Sequence, residues 1–547
     1  MGVSGSAHQT VHTQRGMTLL TRQHRSAVIF SLTVAICLLL PVFSFAAKDG
    51  DSPADSLRDR QIRDQRRAER TDLFLSQQHA PQRLERLPAT PCAGGLASTY
   101  PCDSVDLLTF MPLSSIGGGS GNDIWGWTDP MTGREYALMG RTSGTSFVDI
   151  TDPLNPIYLG NLPPNGADSS WRDIKVYADH AYIVSEAPGH GMQIFDLTQL
   201  RTVVTPPVTF SNTAHYDDFG SSHNIVINED TGFAYSVGTT TCNQGLHFID
   251  LSDPVVPVFA GCHIETIYTH DAQCLVYNGP DLDHQGRAIC INSNENRITI
   301  VDVTDHSDPT VISTTTYSDT GYTHQGWLTE DQRFYMQGDE LDEQNFAHNT
   351  RTRIYNMTDL DNPVLIGTHD STTTAIDHNL YTLNGYMFQA NYRAGLQIFD
   401  LADVAAGNLT EVGQFDIYPS SDSANFNGAW SVYPYFASGN IIVSGIEQGL
   451  FILRPRLDPD FLASVAPLEL SVCSPTGADI DIDVTVRNGY TGDVTLSTVG
   501  LPAGAGAAFS TNPVTSPGTS TMTFSPNAVA AGSYPFQIQA TDGTIIR

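Results

Sequence analysis

The chain has 547 residues and a formal net charge of −32, with 59 acidic against 27 basic side chains. Hydrophobic residues make up 40% of it and aromatic residues 9%, so the chain can bury a core and is not disordered throughout. A chain this acidic repels a phosphate backbone, which argues against a nucleic-acid partner.

The N-terminal segment has the basic, apolar and small-residue layout of a secretory signal peptide. Arginines precede an apolar run over 28–40, and small side chains follow at Ala46 and Ala47. The alternative is a membrane anchor, but the run is shorter than the roughly 20 residues that cross a bilayer. We therefore predict a cleaved signal peptide over 1–46. The mature chain is expected to have no transmembrane span and to be secreted or to lie at the surface of the cell envelope.

Residues 47–91 follow the signal as a charged linker. The stretch from Arg58 to Arg70 is nearly all charged, so it is predicted to be a solvated helix or a flexible linker. Folded domains are expected after it, over 92–456 and 464–547.

A strand-like motif, apolar and ending in an acid or amide, recurs along the chain with a period of about fifty residues. Its final residues are Asp149, Asp196, Asp250, Asp302, Asn356 and Asp400. Turns such as Thr151-Asp152-Pro153 follow, because a carboxylate accepts local N–H bonds and proline presets φ. Short strands with such a period predict an all-β fold with one four-stranded sheet per repeat, arranged radially.

The number of blades follows from how the ring closes. A seventh motif at 450–453 runs into Arg454-Pro455-Arg456 without a fourth strand after it, whereas 105–110 reads as a fourth strand with nothing before it. The N-terminal strand is therefore expected to complete the last blade and to remove the open edges. This predicts a seven-bladed β-propeller over 92–456.

Cysteine usage agrees with export. Pairing of nearest neighbours predicts three disulfides and leaves Cys473 over; the pairs are Cys92–Cys102, Cys242–Cys262 and Cys274–Cys290. Sequence does not settle connectivity, and the alternative is a set of reduced core cysteines.

A second set of polar residues recurs along the chain, and each copy precedes one strand motif. It lies where the innermost strand of a blade is expected to begin. Its candidate functional members are Asp123, Asp173, His223, His270, Asp271, His324 and His378. Equivalent positions on successive blades lie at equal depth around one axis. The four histidines should therefore surround the central channel with the three aspartates close by. Imidazoles and carboxylates that converge in this way are the ligands of a transition-metal site.

The alternative role of these polar residues is structural. Each His, Asp, Asn or Gln could hydrogen-bond to the neighbouring blade and tie the repeats together, and histidines on adjacent blades could be too far apart to share one ion. Catalytic residues stay unknown, because no separate base or nucleophile with a defined spacing is visible.

An acidic cluster follows one of the strands. It contains Asp339, Glu340, Asp342 and Glu343. Carboxylate oxygens are ligands for Ca²⁺, so the cluster could hold that ion at the rim of the propeller. A solvated loop is the alternative.

The C-terminal region is rich in Thr, Ser, Gly, Pro and Val, and its strand-like segments alternate at period two. Examples are 480–486, 493–496 and 536–540. This pattern predicts an immunoglobulin-like β-sandwich over 464–547. Because no finishing strand is visible before Arg547, the domain is expected to be short or the chain truncated.

The strand motif with its Asp-Pro turn resembles the LVIVD-repeat propellers, and longer segments resemble the choice-of-anchor B family of exported bacterial proteins. The segments that carry this resemblance are Ser120–Gly126, Thr323–Leu328, Asp339–Asn345 and Ser444–Leu450. The resemblance covers the predicted propeller. It implies a secreted or surface protein and no particular activity.

Two functions are compatible with these features. The favoured one is a binding or interaction module for a protein or glycan ligand. The alternative is a metal-dependent hydrolase or oxidase that works in the channel, which rests on analogy with other propellers.

Overall fold

The computed structural model describes residues 9–13, 65, 68–77, 83–265 and 267–547. The predicted signal peptide over 1–46, apart from 9–13, lies outside the described residues. Within the part of the chain that the structure describes, no helix is long and apolar enough to cross a bilayer.

The described residues are almost all strands and turns, as predicted. The first three sheets after residue 120 share one antiparallel order in which consecutive strands are neighbours. Sheet 1 contains Gly121–Thr128, Glu135–Arg141, Gly144–Asp149 and Ile157–Leu162, with Val208–Thr209 added at its edge. Sheet 2 contains Arg172–Tyr177, His180–Ser185, Met192–Asp196 and Ala214–Tyr216. Sheet 3 contains Asn224–Asn228, Phe233–Val237, Leu246–Asp250 and Val258–His263.

The next three sheets repeat this order. Sheet 4 contains Thr269–Val276, Ala288–Asn294, Arg297–Asp302 and Thr310–Thr315. Sheet 5 contains Thr323–Leu328, Phe334–Asp339, Arg351–Asn356 and Val364–Asp370. Sheet 6 contains Leu380–Leu383, Tyr386–Asn391, Gly395–Asp400 and Thr410–Phe415, and the N-terminal strands Tyr100–Asp103 and Leu96–Ala97 extend it.

Sheet 7 joins the two ends of this region. Its first three strands are Ala429–Tyr433, Ile441–Gly445 and Gly449–Pro455, and its fourth is the N-terminal strand Val105–Pro112. Phe451 lies opposite Phe110, and Leu453 lies opposite Leu107. This is the pairing that the sequence analysis expected, and it leaves the last repeat without an open edge.

The sheets form a closed, propeller-like ring. The first strand of each sheet contacts the first strand of the next sheet, and the first strand of sheet 7 contacts that of sheet 1. The first strands therefore enclose a central space, which we call the channel. Apolar side chains from facing sheets fill the ring between the channel and the outer strands.

The residue that ends each third strand closes the turn after it. Its side-chain oxygen accepts a hydrogen bond from the backbone N–H two residues on, at Asp149, Asp196, Asp250, Asp302, Asn356 and Asp400. An acceptor of this kind satisfies a backbone donor that the strand ladder leaves free.

The three predicted disulfides are confirmed. They join Cys92 to Cys102, Cys242 to Cys262 and Cys274 to Cys290. The last of these links two adjacent strands of sheet 4. Among the described cysteines Cys473 is free, and it is exposed.

The C-terminal region forms two further sheets with a common apolar core. One contains Asp460–Ala466, Ala478–Arg487, Gly518–Ser525 and Gly506–Phe509. The other contains Leu470–Val472, Ser533–Thr541, Asp493–Val499 and Val514–Thr515, and Gln9–Thr13, which belongs to the predicted signal peptide, lies between the first two. The alternation read from 480–486 is visible as buried Ile480, Ile482 and Val484.

The described helices are few and short. A helix occupies residues 68–77, and one α-helical turn follows sheet 5's second strand at Asp342–Phe346. Single 3₁₀ segments lie at Leu113–Ser115, Leu197–Thr202, Cys242–Gln244 and Val404–Ala406.

The segment predicted as a charged linker packs against the ring in two places, which corrects the expectation of a merely solvated segment. Phe74 of helix 68–77 is 3% exposed and lies against Trp171, Phe426 and Trp430. Further along, Leu87 exchanges both backbone hydrogen bonds with Phe110 of sheet 7. A few apolar residues within a charged stretch were enough to dock it, because burying one large side chain gives about 1.5–3 kcal/mol.

Candidate functional site

The four predicted histidines form a continuous row at one end of the channel. They begin the first strands of sheets 3, 4, 5 and 6 or lie just before them. The ring centroids of His223 and His270, of His270 and His324, and of His324 and His378 are each 4.3 Å apart. The spacing of the repeats therefore predicted correctly that these four side chains lie together.

These imidazoles lie in a dry environment. His270 and His324 are each 2% exposed, and His378 is 3% exposed. Burial lowers the pKa of His378 to about 4. It also lowers the pKa values of His270 and His324 well below the usual value, with repulsion from neighbouring histidines as a further cause. His270, His324 and His378 are consequently neutral near pH 7, which is the protonation state of a metal-binding imidazole.

Neighbouring groups orient the rings. The Tyr322 hydroxyl lies 3.2 Å from Nδ1 of His270. Nδ1 of His223 lies 2.6 Å from Oε1 of Glu186, and Nδ1 of His378 hydrogen-bonds the carbonyl of Trp430. Contacts at one ring nitrogen set the tautomer and direct the other nitrogen.

Glu340 supplies a carboxylate to the row. Its Oε1 lies 3.9 Å from Nε2 of His324 and 3.7 Å from Nε2 of His378, and it accepts a hydrogen bond of 2.8 Å from the Tyr392 hydroxyl. Ligand atoms of His270, His324 and Glu340 lie within 4.8 Å of one another. Among the described residues, Nε2 of His270 and Nδ1 of His324 have no hydrogen-bond partner. We call His270, His324 and Glu340 the channel triad.

Helix 68–77 covers this end of the channel. Its Arg70 places Nη1 3.4 Å from Oε2 of Glu340, and the guanidinium lies over the Tyr322 ring at 4.5 Å from the centroid. The helix thus closes the row of histidines from solvent and sets a positive charge beside the triad.

The three predicted aspartates do not join the histidines, which corrects the expectation that they lie close enough to share a ligand. Oδ2 of Asp123 accepts from the Ile174 amide at 3.2 Å, and Oδ2 of Asp173 accepts from the Ile225 amide at 2.7 Å. Each bond connects one sheet to the next. Asp123 and Asp173 therefore connect neighbouring sheets and do not face the histidines.

The aspartates form a separate layer around a lysine. Lys175 Nζ lies 2.7 Å from Asp173 and 3.7 Å from Asp123. Asp271 belongs to the same layer, and burial together with Asp173 raises its pKa to about 7. A lysine already satisfies this layer, so it is a poor candidate for a metal.

The structural role that the sequence left open for the recurring polar residues is therefore present. Both the histidines and the residues after them take part in it, because His378 bonds the Trp430 carbonyl of sheet 7 and Asn224 donates to the His270 carbonyl of sheet 4. Gln325, next to His324, shows this role most fully, because it donates to the Leu380 carbonyl and accepts from the Leu380 amide, both at 3.0 Å.

The acidic cluster does not lie at a solvated rim, which corrects that prediction. Exposure is 0% for Asp339 and Asp342, 3% for Glu343 and 4% for Glu340. Glu340 belongs to the channel triad, and the others point into the interior with Asp377. The residues follow directly on a buried strand, so the chain turns while it is still inside the ring.

Several residues of the site were not predicted from the sequence, although recurring positions in the repeats mark some of them. Tyr-Thr-His occurs at both 268–270 and 322–324, which marks Tyr322. Glu186, Glu340 and Tyr392 each come directly after the second strand of a sheet, a position that the repeat makes equivalent. No signal of this kind marked Arg70, because it lies outside the repeats.

A cavity of about 570 Å³ opens at the other end of the channel. Aromatic side chains of Trp125, Trp327 and Tyr435 line it, together with Glu229 and Glu330. It is therefore an amphipathic pocket that the histidine row does not reach.

Comparison with known proteins identifies no family. No protein family model matches the chain, and no curated protein matches it. Solved structures with a partial likeness include a protein from Lactobacillus plantarum, 12% identical, covering 59% of this chain and 89% of its own, with a TM-score of 0.42. Hydrazine synthase of Kuenenia stuttgartiensis is 12% identical and covers 59% of this chain and 93% of its own, with a TM-score of 0.39. The computationally designed Ika8 protein is 8% identical, covering 69% and 99%, with a TM-score of 0.40.

Proposed function

We propose that this protein is an exported binding module built as a seven-bladed β-propeller followed by an immunoglobulin-like domain. Support for the propeller comes from the closed ring of first strands and from the N-terminal strand in the last sheet. Support for the second domain comes from its two sheets around one core. The signal-like N-terminus and the three disulfides support export.

The function that the geometry supports best is the binding of a transition-metal ion by the channel triad. The observation that carries this proposal is the pair of buried imidazole nitrogens, on His270 and His324, that lack a partner beside the Glu340 carboxylate. A buried polar atom without a hydrogen bond costs about 1–3 kcal/mol. A metal ion would satisfy both nitrogens at once.

The ligand types and their spacing suit such an ion, which has to compete with Arg70 for the Glu340 carboxylate. Two ligands of a tetrahedral zinc site lie about 3.4 Å apart, given metal–nitrogen bonds of about 2.1 Å. One ligand atom from each of His270, His324 and Glu340 lies within 4.8 Å of the others, so side-chain rotations bring the ligands into range. Neutral imidazoles with a carboxylate favour Zn²⁺, Cu²⁺, Fe²⁺ or Mn²⁺ over Ca²⁺.

Because the channel triad is enclosed, this end of the channel is better suited to binding a metal ion than to catalysing a reaction. Helix 68–77 covers the triad, and Arg70 occupies the space next to Glu340. A catalytic zinc site keeps a coordination position open to water or substrate. The metal-dependent hydrolase or oxidase therefore stays the alternative, and it requires the helix to move away.

The protein or glycan ligand predicted from the sequence stays a prediction. The aromatic cavity at the open end of the channel has room for a bound group. We also propose membership of the choice-of-anchor B family, on the repeats and segments that resemble it.

Metal analysis of the full purified chain tests the proposal. After chelation and reloading with Zn²⁺, we expect about one ion per chain held by the triad. His324→Gln and Glu340→Gln should each weaken Zn²⁺ binding more than about tenfold, because each removes a ligand. Elemental analysis of the protein as purified identifies the metal among Cu, Fe, Mn and Zn.

Gln325→Met is the matched control, since it changes the residue next to His324 and removes two bonds between sheets while leaving the triad intact. It should lower the melting temperature and keep the metal. A folded wild-type chain that takes up none of the four metals would falsify the metal proposal and leave the structural role of the histidines.

A further inference from the structure

A second group of carboxylates lies in the interior, between sheets 5 and 6. Ligand atoms of Asp342, Glu343 and Asp377 lie within 4.8 Å of one another. Asp342 and Asp377 are each 0% exposed, and Glu343 is 3% exposed. Asp342 and Glu343 begin the helical turn Asp342–Phe346, whereas Asp377 precedes the first strand of sheet 6.

The hydrogen bonds of this group leave some of its oxygens without a partner outside the group. Asp377 accepts from the Asp339 amide at 3.1 Å, and Oε1 of Glu343 accepts from the Arg351 amide at 3.3 Å. Oδ1 of Asp342 and Oε2 of Glu343 have no hydrogen-bond partner outside the group among the described residues, and the two carboxyl groups bond to each other. Carboxylate oxygens that are both buried and unpaired are costly unless they bind a cation or a proton.

The basic side chains near the group do not neutralise all of its carboxylates. Arg353 pairs with Asp342 at 2.8 Å, and His348 Nε2 lies 3.5 Å from the same carboxylate. Arg351 is engaged by Asp370 at 2.6 Å. Asp339 adds a further buried carboxylate next to the group, although it is satisfied by the Tyr317 hydroxyl and by backbone amides.

We propose that Asp342, Glu343 and Asp377 bind one calcium ion in the interior of the ring. The ligands are all oxygens, which selects a hard cation rather than the metals expected at the channel triad. Three carboxylates in a buried site suit Ca²⁺ better than Mg²⁺, which keeps several waters and an octahedral geometry. The ion would connect the turn after sheet 5's second strand to the start of sheet 6, and so cross-link two neighbouring sheets.

Thermal unfolding of the full chain in CaCl₂ and in EGTA tests the calcium site. A ligand present far above its dissociation constant stabilises the folded state, so we expect CaCl₂ to raise the melting temperature on the order of 5 °C. MgCl₂ at the same concentration should give a smaller rise. Glu343→Gln and Asp377→Asn should each remove most of the calcium-dependent rise.

Two controls separate this site from other acidic groups. Asp361→Asn changes the group of Asp281, His284 and Asp361, in which Asp361 is exposed, and Glu340→Gln changes the channel triad; both variants should keep the calcium response. Because a core variant can fail to fold, Tb³⁺ luminescence and its displacement by CaCl₂ are also measured on the wild-type chain.

The outcomes are distinct. A calcium-dependent rise that both core variants lose supports the site. No rise in the wild-type chain, together with no displaceable Tb³⁺, overturns it and indicates that protons neutralise the carboxylates. A rise that Glu343→Gln and Asp377→Asn retain also overturns it, because the ion then binds elsewhere.

Discussion

Buried ionisable side chains are the feature of this protein that is most informative at the scale of single residues. Neutral histidines face the channel, and carboxyl groups with raised pKa values lie between sheets. Asp416 is an example outside both candidate metal sites. It follows the last strand of sheet 6, and burial raises its pKa to about 7 although it accepts a hydrogen bond from the Tyr418 amide.

Asp416 predicts a pH dependence of stability. Its folded pKa lies above its unfolded value near 3.9, so the folded state holds the extra proton. The stabilisation is complete below about pH 4 and is lost as the pH rises through about 7. Asp416→Asn should therefore gain stability relative to wild type between pH 5 and pH 8, by roughly 2 kcal/mol once partial solvent exposure is allowed for.

Urea unfolding of both proteins at the two pH values measures this difference. Other groups titrate equally in both chains and cancel in the comparison. A free-energy difference between variant and wild type that does not change with pH would show that Asp416 is ionised in the fold.

At the scale of elements, helix 68–77 is the part of the structure with the most direct influence on the site. Its Arg70 places a positive charge beside the triad. Its Phe74 packs in an aromatic pocket of the ring and holds the helix there. The described part of the helix has ten residues, and an isolated helical segment of that length is marginal in water, so packing of its apolar side chains stabilises it.

Phe74→Ala should loosen the helix and expose the channel. We expect a chelator such as EDTA to remove metal from this variant several times faster than from wild type, and proteases to cut within 68–77 more readily. Loss of a buried phenyl ring costs about 3–5 kcal/mol of docking energy, which is enough to undock a short helix.

Leu75→Ala is the control on the same helix, because Leu75 is 47% exposed. It should leave both rates unchanged. Equal rates of metal release and proteolysis in Phe74→Ala and wild type would mean that the helix does not gate the channel.

At the scale of the whole molecule, the ring depends on one strand brought from the N-terminal side. Phe110 of that strand is 0% exposed, and its ring centroid lies 4.5 Å from that of Phe451. The Cys92–Cys102 disulfide lies just before this strand. Closure removes the unpaired edge that a linear array of sheets would expose.

Phe110→Ala should weaken the closure and destabilise the whole ring. The expected loss is about 3–5 kcal/mol in the free energy of unfolding, measured by chemical denaturation. Met131→Ala, at a residue that is 75% exposed, should have no measurable effect. If Phe110→Ala unfolds like wild type, the ring does not rely on this strand.

The repeat pattern was sufficient to predict the all-β fold, the partner of strand 105–110 and the row of histidines. These features depend on local rules: apolar alternation sets which face of a strand is buried, acids and prolines set the turns, and equal spacing places His223, His270, His324 and His378 at one depth. Each of these can be read within one repeat and its neighbours.

Other features arise only where distant segments meet in the folded chain. The spacing of the repeats predicted which positions lie at one depth, but not that Glu340 would turn inward to the histidines while Asp123 and Asp173 bond to neighbouring sheets. Nor does a charged stretch reveal that Arg70 enters the channel, or that Asp342, Glu343 and Asp377 converge in the interior. Convergence of this kind depends on side-chain direction and burial across elements far apart in sequence, and no local pattern of residues encodes it.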